Sequence, residues 1–311
     1  MTDYTTRRKK EHLELSLTAD VSFKTKTNGF ELYEFIHNAA TEVELNKISF
    51  ETKFFKKKIN YPFIISCMTG GTEEAENINA ELAIAAEELK IPIGVGSQRQ
   101  ALEDKNYRNT YSVIRKNAKS VPVLGNLGAA ELVRLKSYSS VQMLIDLIEA
   151  DAFVIHLNPL QELLQQEGTP NFKGLIKCLK KFIAGAGGTS WAAIEMLRNK
   201  SVVNDYFWDW GLPTSFCLRE NSKLKKEFRF ILIGSGGINS AIDAAKAFAL
   251  GADYVASARL ILKQLDSNGI EGVKKLVVDW FDDIRKIMFL TGSHTIKDLR
   301  KNKLLRKDQL V

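Results

Sequence analysis

Two glycines late in the chain lie where a protein backbone could bind an anion. An apolar run ends in Ser235-Gly236-Gly237, and a stretch of small residues typical of a helix follows. Glycine lets the backbone approach an anion closely, and the first turn of a helix offers N–H groups without intrahelical partners. A second apolar run ends in Ala258-Arg259. The pattern predicts a strand, a phosphate-binding loop, a helix and a strand, although a glycine pair that serves only packing has the same appearance.

Polar residues that could bind a phosphate follow two further apolar runs. His156 and Asn158 come after Ala152–Ile155, and Arg99 comes after Ile91–Val95. A guanidinium fork can grip a phosphate at two oxygens. The alternative for His156 is a hydrogen-bonded core histidine, but its place at the end of a predicted strand argues against this. The sequence offers no obvious carboxylate dyad or Cys-His pair.

Composition limits the class of protein. The chain has 311 residues, 45% hydrophobic and 26% charged, which suits one large α/β domain. No apolar run approaches the ~20 residues needed to span a bilayer, no secretory signal is visible, and the three cysteines lack metal-ligand spacing. We therefore expect a cytoplasmic protein without a membrane partner.

The chain carries a net charge of +7 and has a pI of about 9.1. Nucleic-acid binding is one possible reason for such a charge. However, the basic stretches lack interleaved aromatic residues, and acidic residues are numerous. A solvated surface or the capture of a small polyanion is the favoured interpretation, and no nucleic-acid partner is expected.

Apolar runs recur at roughly 30 residues, the length of one βα unit of a barrel. Each ends in Gly, Ser, Asn, His or Arg, and in (β/α)₈ barrels the residues that bind ligands follow the carboxyl ends of the strands. The runs are Tyr61–Cys67, Ile91–Val95, Val121–Leu124, Ala152–Ile155, Phe182–Ala184, Phe228–Ile233 and Tyr254–Ser257. The pattern predicts a TIM (β/α)₈-type α/β barrel over residues 61–311, flanked by residues 1–60, in a single domain. Seven strands are found where a closed barrel needs eight.

Helical spacing of apolar residues fills the intervals between these runs. The predicted helices are Ala75–Leu89, Ala129–Glu149, Trp191–Asn199, Ala241–Leu250 and Gly272–Met288.

Taken together, the motifs resemble the type 2, FMN-dependent isopentenyl diphosphate isomerases over nearly the whole chain. Met68-Thr69-Gly70-Gly71 together with His156-Leu157-Asn158-Pro159-Leu160-Gln161-Glu162 is the most specific pair. The remaining matching pieces are Arg8–His12, Gly96–Arg99, Asn126–Ala129, Gly185–Trp191, Trp210–Thr214 and Ser235–Gly237. The resemblance implies an isomerase of isoprenoid biosynthesis that interconverts isopentenyl and dimethylallyl diphosphate by proton transfer through reduced FMN.

The resemblance also assigns site residues. The catalytic residues would be His156 and Gln161, and Glu162 would bind Mg²⁺ on the diphosphate. The substrate would be bound by Arg8, Lys9, His12, Arg99, Asn158, Gln161 and Trp191. FMN would be bound by Met68, Thr69, Gly70, Ser97, Asn126, Thr189, Gly236, Gly237, Ala258 and Arg259. NADPH is implied as the reductant, and a homotetramer or larger assembly as the oligomeric state.

Several of these residues have a simpler interpretation. Arg8 and Lys9 could belong to a disordered basic tail, and Glu162 could be a helix-start glutamate that favours the helix dipole. Thr189 could be a helix N-cap, and Trp191 could pack in the core.

One departure from the family concerns the fifth strand of the barrel. The family has a Lys-Glu-x-Gly-x-Gly strand before the Gly-Ala-Gly-Gly-Thr-Ser-Trp loop, whereas here Lys177–Ala184 runs directly into that loop. About one βα unit of roughly 30 residues is therefore predicted to be absent. Lys180 or Lys181 could replace the family's flavin-contacting lysine. We expect residues 171–184 to be rearranged and FMN to bind more weakly than in full-length relatives.

Two alternative functions remain open at this point. One is an FMN-dependent oxidoreductase of the 2-hydroxy-acid oxidase type, which would need a His–Arg pair for a carboxylate substrate. The other is a non-catalytic binding protein that lost its activity with the missing unit.

Overall fold

The computed structural model describes residues 2–135, 137, 139–166, 168–176, 191–198, 207–301 and 304–309. The strands in these ranges are β1 (Tyr33–Phe35), β2 (Thr52–Phe54), β3 (Lys57–Ile59), β4 (Phe63–Ile65), β5 (Ile93–Gly94), β6 (Val123–Gly128), β7 (Ala152–His156), β8 (Ile233–Ser235), β9 (Tyr254–Ser257) and β10 (Leu304–Arg306). The helices are α1 (Thr2–Thr18), α2 (Glu73–Leu89), α3 (Arg99–Glu103), α4 (Asn109–Asn117), α5 (Ala129–Arg134), α6 (Ser139–Leu147), α7 (Pro159–Leu164), α8 (Trp191–Arg198), α9 (Thr214–Lys223), α10 (Ala241–Ala249), α11 (Arg259–Leu290) and α12 (Ile296–Leu299).

Six strands form one parallel sheet in the order β7-β6-β5-β4-β9-β8. Strands β4 to β7 follow each other in space as they do in sequence, and β9 returns to pair with β4 on its other side. This is the strand order of a (β/α) barrel, in which the last strand closes against the first. In the described residues no strand pairs with the free edges of β7 and β8, where an eight-stranded barrel has two further strands.

Side chains on the two faces of the sheet pack into separate cores. Phe63 and Ile65 belong to the large core shared with the surrounding helices. Ile64, between them, belongs to a second cluster on the opposite face, because successive side chains of a strand alternate. The β2–β3 hairpin contributes Phe54 and Ile59 to this inner cluster. The hairpin therefore helps to fill the barrel interior. The carboxyl ends of the strands, at the other end of the barrel, remain available for the site.

The predicted strands are confirmed at most positions, with one shift. The run Phe228–Ile233 was predicted to be a strand, but β8 begins only at Ile233. The Phe228 N–H donates instead to Leu224 O at 2.8 Å, and the Leu232 N–H donates to the Asp253 carboxylate at 2.8 Å. These contacts hold the preceding residues outside the sheet. The predicted strand at residues 182–184 lies outside the described residues.

One helix prediction was wrong in its bounds. The predicted helix Ala129–Glu149 is two helices, α5 and α6, and Ser137 Oγ accepts a hydrogen bond from the Ser139 N–H at 3.1 Å between them. Such a local side-chain bond offers the backbone an alternative to continuing a helix. The long helix α11 consists of two helical segments that meet at Gly269, whose φ of 62° and ψ of −163° are not helical, and the predicted helix Gly272–Met288 lies in the second segment.

Helix α1 was not predicted at all. The flanking segment also provides β1, which pairs antiparallel with β10. No helix within the described ranges is both long enough and apolar enough to cross a membrane.

Candidate active site

Hydrogen bonds connect the carboxyl ends of β4 to β7. The Gly96 N–H donates to Thr69 O at 2.9 Å, and the Gln98 N–H donates to Asn126 O at 2.8 Å. Asn126 Oδ1 in turn lies 2.8 Å from His156 Nδ1. The predicted flavin and substrate residues after four consecutive strands thus meet at one edge of the sheet.

The other half of the sheet joins the same edge through Ser257, at the end of β9. Its carbonyl accepts from the Ser66 N–H at 3.1 Å, and its hydroxyl donates to Ile238 O at 3.3 Å. Ile238 directly follows the predicted phosphate loop. The sheet therefore brings the loop after β8 and the loops after β4 to β7 together. We call the opening between these loops the mouth of the site.

His156 is a neutral imidazole in this setting. Burial lowers its pKa to about 4, and the nearby charges of Arg8 and Lys9 act in the same direction. Burial also raises the pKa of the Cys67 thiol to about 11, against a smaller lowering by a hydrogen bond from Asn126. If the Asn126 amide N–H donates to Cys67, its oxygen accepts from His156. This network assigns the proton to His156 Nδ1 and leaves the Nε2 lone pair as an acceptor.

Helix α1 carries the predicted diphosphate cations to the mouth. Arg8 is buried, with 8% of its surface exposed. Lys9 Nζ contacts Gly70 O at 2.6 Å and Ser97 O at 2.9 Å. Burial is the main cause that lowers the pKa of Lys9, and the Arg8 charge adds to it. The disordered-tail interpretation of Arg8 and Lys9 was therefore wrong, because both lie on an ordered helix that packs against the site.

A buried carboxylate that the sequence interpretation missed organises this side of the mouth. The Glu195 side chain is fully buried on α8, and its Oε1 lies 2.7 Å from His12 Nε2. Arg198 pairs with Glu195 and also reaches Glu11 Oε2 at 3.0 Å. Burial raises the pKa of Glu195, but the hydrogen bond from His12 and the charges of His12 and Arg198 outweigh it, so that the net direction is down. No motif in the sequence marks it, because its partner His12 lies 183 positions away.

Helix α7 presents the amide and carboxylate side chains of the predicted motif. Asn158 caps the helix, since its Oδ1 accepts from the Gln161 N–H at 3.2 Å. Gln161 Nε2 donates to Glu195 Oε1 at 3.4 Å. Glu162 lies in the first turn and accepts from the Thr169 N–H at 2.9 Å. Within the described residues no three His, Cys, Asp or Glu side chains cluster to hold a metal, so a Mg²⁺ at Glu162 would need diphosphate oxygens and water as further ligands.

Arg99 is held by carboxylates of the protein itself. Its Nε lies 2.7 Å from Glu103, and its Nη1 lies 3.0 Å from Glu131. A phosphate contact requires the guanidinium to share or leave these partners, so its role as a substrate ligand stays a prediction.

The glycine loop after β8 offers backbone donors. Gly236 and Gly237 have φ of 106° and 66°. Thr214 Oγ1 donates to Gly236 O at 2.7 Å, and Asn28 Nδ2 donates to Gly237 O at 2.6 Å. In a trans peptide the C=O and N–H point in opposite directions, so the N–H groups of Gly237 and Ile238 point away from these two side chains. This arrangement fits a phosphate group, and the contribution of Asn28 was not predicted.

The remaining predicted residues each have different surroundings. Met68 is partly buried against the main core, and Ala258 directly precedes α11. Arg259 donates to Ser16 O at 2.9 Å and to Ala19 O at 2.5 Å, so it caps the carboxyl end of α1. Trp191 begins α8, but its side chain lies outside the described residues, as do Thr189, Lys180 and Lys181.

Sequence similarity to known proteins shows the family to which this chain belongs. It is 37% identical to the isopentenyl-diphosphate delta-isomerase of Pelodictyon phaeoclathratiforme, over 97% of this chain and 98% of that protein. It is also 37% identical to the enzyme of the same name from Pyrococcus abyssi, over 97% of this chain and 92% of that protein. The chain belongs to the FMN-dependent, type 2 isopentenyl-diphosphate delta-isomerase family.

A family model and two solved structures also match the chain. Residues 211–306 match the family model of the FMN-dependent dehydrogenases. The fold resembles a lactate oxidase of Pediococcus acidilactici, with a TM-score of 0.64 and 16% identity over 98% of this chain and 94% of that one. It also resembles a mandelate oxidase carrying an FMN adduct, with a TM-score of 0.64 and 15% identity over 98% of each chain. These structures show the fold alone.

The relatives also bear on the missing βα unit. The alignment with the Pelodictyon isomerase spans 351 positions, whereas this chain has 311 residues, so at least 40 positions (351 less 311) have no counterpart here. That length is enough for one βα unit. Together with the six-stranded parallel sheet, it confirms the predicted barrel that lacks about one unit.

Proposed function

We propose that the chain interconverts isopentenyl diphosphate and dimethylallyl diphosphate as an FMN-dependent isomerase. The observation that carries this proposal is the 37% identity over nearly the full length of isomerases of that name. The 2-hydroxy-acid oxidase alternative has less support. The oxidases that share the fold are only 15–16% identical in sequence, and the FMN-dependent dehydrogenase model matches residues 211–306 alone.

The residues at the mouth fit a bound FMN. The N–H groups after Gly236 and Gly237 would hold its phosphate, and the loops of Gly70, Ser97 and Asn126 would lie along its ring. The reduced flavin supplies the groups that give and remove the proton at carbon. The protein provides binding, orientation and exclusion of water around it.

The diphosphate would bind between α1 and α7. Arg8 and His12 supply donors from α1, and Asn158 supplies an amide from α7. We assign Glu162 to Mg²⁺, which would bridge to diphosphate oxygens. Because His12 and Arg99 already face carboxylates at 2.7 Å, substrate binding must compete with pairs inside the protein.

His156 and Gln161 would orient the reacting end of the substrate. The pKa of about 4 keeps His156 neutral at pH 7, so it can accept a hydrogen bond at Nε2 without adding charge to the site. Gln161 is held by Glu195 and cannot ionise. Both side chains can therefore form hydrogen bonds in the site without acting as strong acids.

We further propose NADPH as the reductant that prepares the flavin, a homotetramer or larger assembly, and a cytoplasmic location. These proposals follow from the family resemblance.

The flavin content and the reaction can be tested together. Purified protein is titrated with FMN and followed by flavin absorbance; it is then incubated anaerobically with NADPH, Mg²⁺ and isopentenyl diphosphate in D₂O. The isomerase forms dimethylallyl diphosphate with deuterium incorporation and without net oxidation. Net oxidation of a 2-hydroxy acid would instead indicate the oxidase. Lack of flavin binding and turnover would indicate a non-catalytic protein.

Two variants test the assigned residues within that assay. We expect His156→Ala and Glu162→Gln each to reduce turnover strongly while the protein stays folded. Only Glu162→Gln should weaken the dependence of turnover on Mg²⁺, and the exposed Glu227→Gln serves as the control. An unchanged Mg²⁺ requirement in Glu162→Gln would remove this residue from the metal site.

A further inference from the structure

Asn28 connects the flanking segment to the glycine loop after β8. Its Nδ2 donates to Gly237 O at 2.6 Å, and its Oδ1 accepts from the Phe30 N–H at 3.0 Å. The second contact fixes the orientation of the side-chain amide, because a backbone N–H needs an oxygen as its acceptor. The amino group of Asn28 must therefore face the carbonyl of Gly237.

The backbone around Asn28 packs closely against residues 213–215. The Asn28 carbonyl accepts from the Ser215 N–H at 3.0 Å. Gly29 has a φ of 80°, and a Cβ built on it would collide with Ser215 Oγ and lie 3.0 Å from the Pro213 Cβ. Glycine permits this close approach of two backbone segments. The backbone thus places the Asn28 side chain independently of its contact with the loop.

Residues 213–215 also supply a second donor to the loop. Thr214 Oγ1 donates to Gly236 O at 2.7 Å, so two successive peptide groups are held by their oxygens. The N–H groups of the same two peptides belong to Gly237 and Ile238 and point the other way. Among the residues that the structure describes, neither N–H donates to an acceptor of the protein. Both N–H groups are therefore left for a ligand.

The glycines themselves do not determine this direction. Glycine adopts positive and negative φ about equally readily, so a peptide between two glycines can turn over at little cost. Gly236 and Gly237 have φ of 106° and 66°. The donors on their carbonyls select one orientation of these peptides, and Asn28 is the donor for the second.

We propose that Asn28 is a positioning residue of the flavin phosphate site, and that it makes binding selective for FMN over riboflavin. By holding Gly237 O, it directs the Ile238 N–H toward the phosphate without touching the ligand itself. The identity of the ligand rests on the proposed function, whereas the orientation of the Gly237 peptide does not.

Riboflavin is the matched ligand for a binding test, because it has the ring and ribityl chain of FMN but no phosphate. Asn28→Ala should raise the Kd for FMN about fivefold, the effect of one lost hydrogen bond. The Kd for riboflavin should stay unchanged. Equal weakening of both flavins would overturn the proposal, since Asn28 would then serve only the fold. An unchanged Kd for FMN would overturn it as well.

Asn38→Ala is the matched control for this variant. Asn38 forms the same local turn, in which its Oδ1 accepts from the Ala40 N–H at 3.2 Å. It also lies beside a glycine of positive φ, Gly292, at 63°, beyond the carboxyl end of α11. Losing this turn away from the loop should leave the Kd of both flavins unchanged. A weaker FMN complex in Asn38→Ala, equal to that in Asn28→Ala, would contradict a specific role for Asn28.

A phosphate titration tests the loop without flavin. Inorganic phosphate is added to the ¹⁵N-labelled, FMN-free full chain, and the amide resonances of Gly237 and Ile238 are followed by NMR. Both should shift in the unmodified protein, which requires no variant, and Asn28→Ala should bind phosphate about fivefold more weakly. No shift in the unmodified protein, or equal affinity in the variant, would overturn the proposal. If phosphate binds but FMN does not, the proposed function fails, and this titration still decides the role of Asn28.

Discussion

The two sides of the mouth hold their groups by different means. On the side of α1 and α8, charged side chains face each other in a buried network around Glu195, with His12 at 2.7 Å. On the side of β8, the loop of Gly236 and Gly237 is held by neutral donors, Thr214 and Asn28, on its carbonyls. One side therefore depends on charges and the other on backbone conformation.

The difference matters for how each side would bind an anion. A buried charge must be paired, so carboxylates already face His12 and Arg198 on this side before any ligand arrives. The glycine loop carries no such competition, since its N–H groups have a fixed direction and no charge to compensate. We infer that anion binding on the side of α1 and α8 depends on pH and on the ion pairs within the protein. On the side of β8, the loop is a preformed anion-binding site.

The largest expected effect comes from breaking the charged side at its centre. Glu195→Gln leaves His12 and Arg198 without their shared buried carboxylate, and loss of one partner of a buried pair costs about 3 to 5 kcal/mol. Urea unfolding at pH 7.5 measures the change, with the surface variant Glu74→Gln as control. A loss below about 1 kcal/mol would mean that Glu11 alone is sufficient to pair these groups.

The next largest effect is expected from a change of pH, through the buried histidines of the mouth. The pKa of His156 falls from 6.5 to about 4 in the folded protein, and burial lowers that of His12 as well. The unfolded chain therefore binds more protons between about pH 6.5 and pH 4, and stability falls as the pH drops through this window. For His156 alone the loss from pH 7 to pH 5 is about 2 kcal/mol. Urea unfolding of His156→Gln at both pH values should show a drop smaller by that amount; an equal drop would contradict the assignment.

A smaller effect is expected from the uncharged side. Gly237→Ala forces an alanine into a φ of 66° and places its Cβ 3.0 Å from the Asn28 Cβ. The conformational part costs about 1 to 2 kcal/mol. Gly174→Ala is the matched control, because Gly174 has a φ of 88° and nothing lies within 4 Å of its built Cβ. Thermal unfolding should show a greater loss for Gly237→Ala, and equal losses would show that Asn28 yields freely.

The smallest effect is expected at the rim of the charged side. Lys10 pairs with Glu74 at 2.8 Å, but both side chains are largely exposed to solvent. Water screens such a pair, so Lys10→Ala should leave the Tm unchanged within error. A clear decrease in Tm would indicate that the charged network extends farther along α1 than its buried part.

Local patterns in the sequence determined the sheet and most of its ligand-facing ends. Phe63–Ile65, Ala152–His156 and Tyr254–Ser257 are strands because apolar residues of suitable shape occur in short runs, and polar residues or glycine end them. The family motifs likewise identified His156, Asn126 and the glycine loop, since each motif is a continuous stretch. The shift of β8 to Ile233 escaped prediction because Asp253, the residue before β9, accepts a hydrogen bond from the Leu232 N–H.

Only the tertiary structure decided which partner each of these residues has. His12 meets Glu195 across 183 positions of sequence, and Asn28 meets Gly237 across 209. The order of α1 depends on contacts of this kind, since Arg259 caps its carboxyl end and Lys9 binds the loops beyond β4 and β5. A sequence specifies which residues can form ion pairs or hydrogen bonds. The folded barrel selects among them, because burial excludes water and leaves each charge only the partners that packing brings within reach.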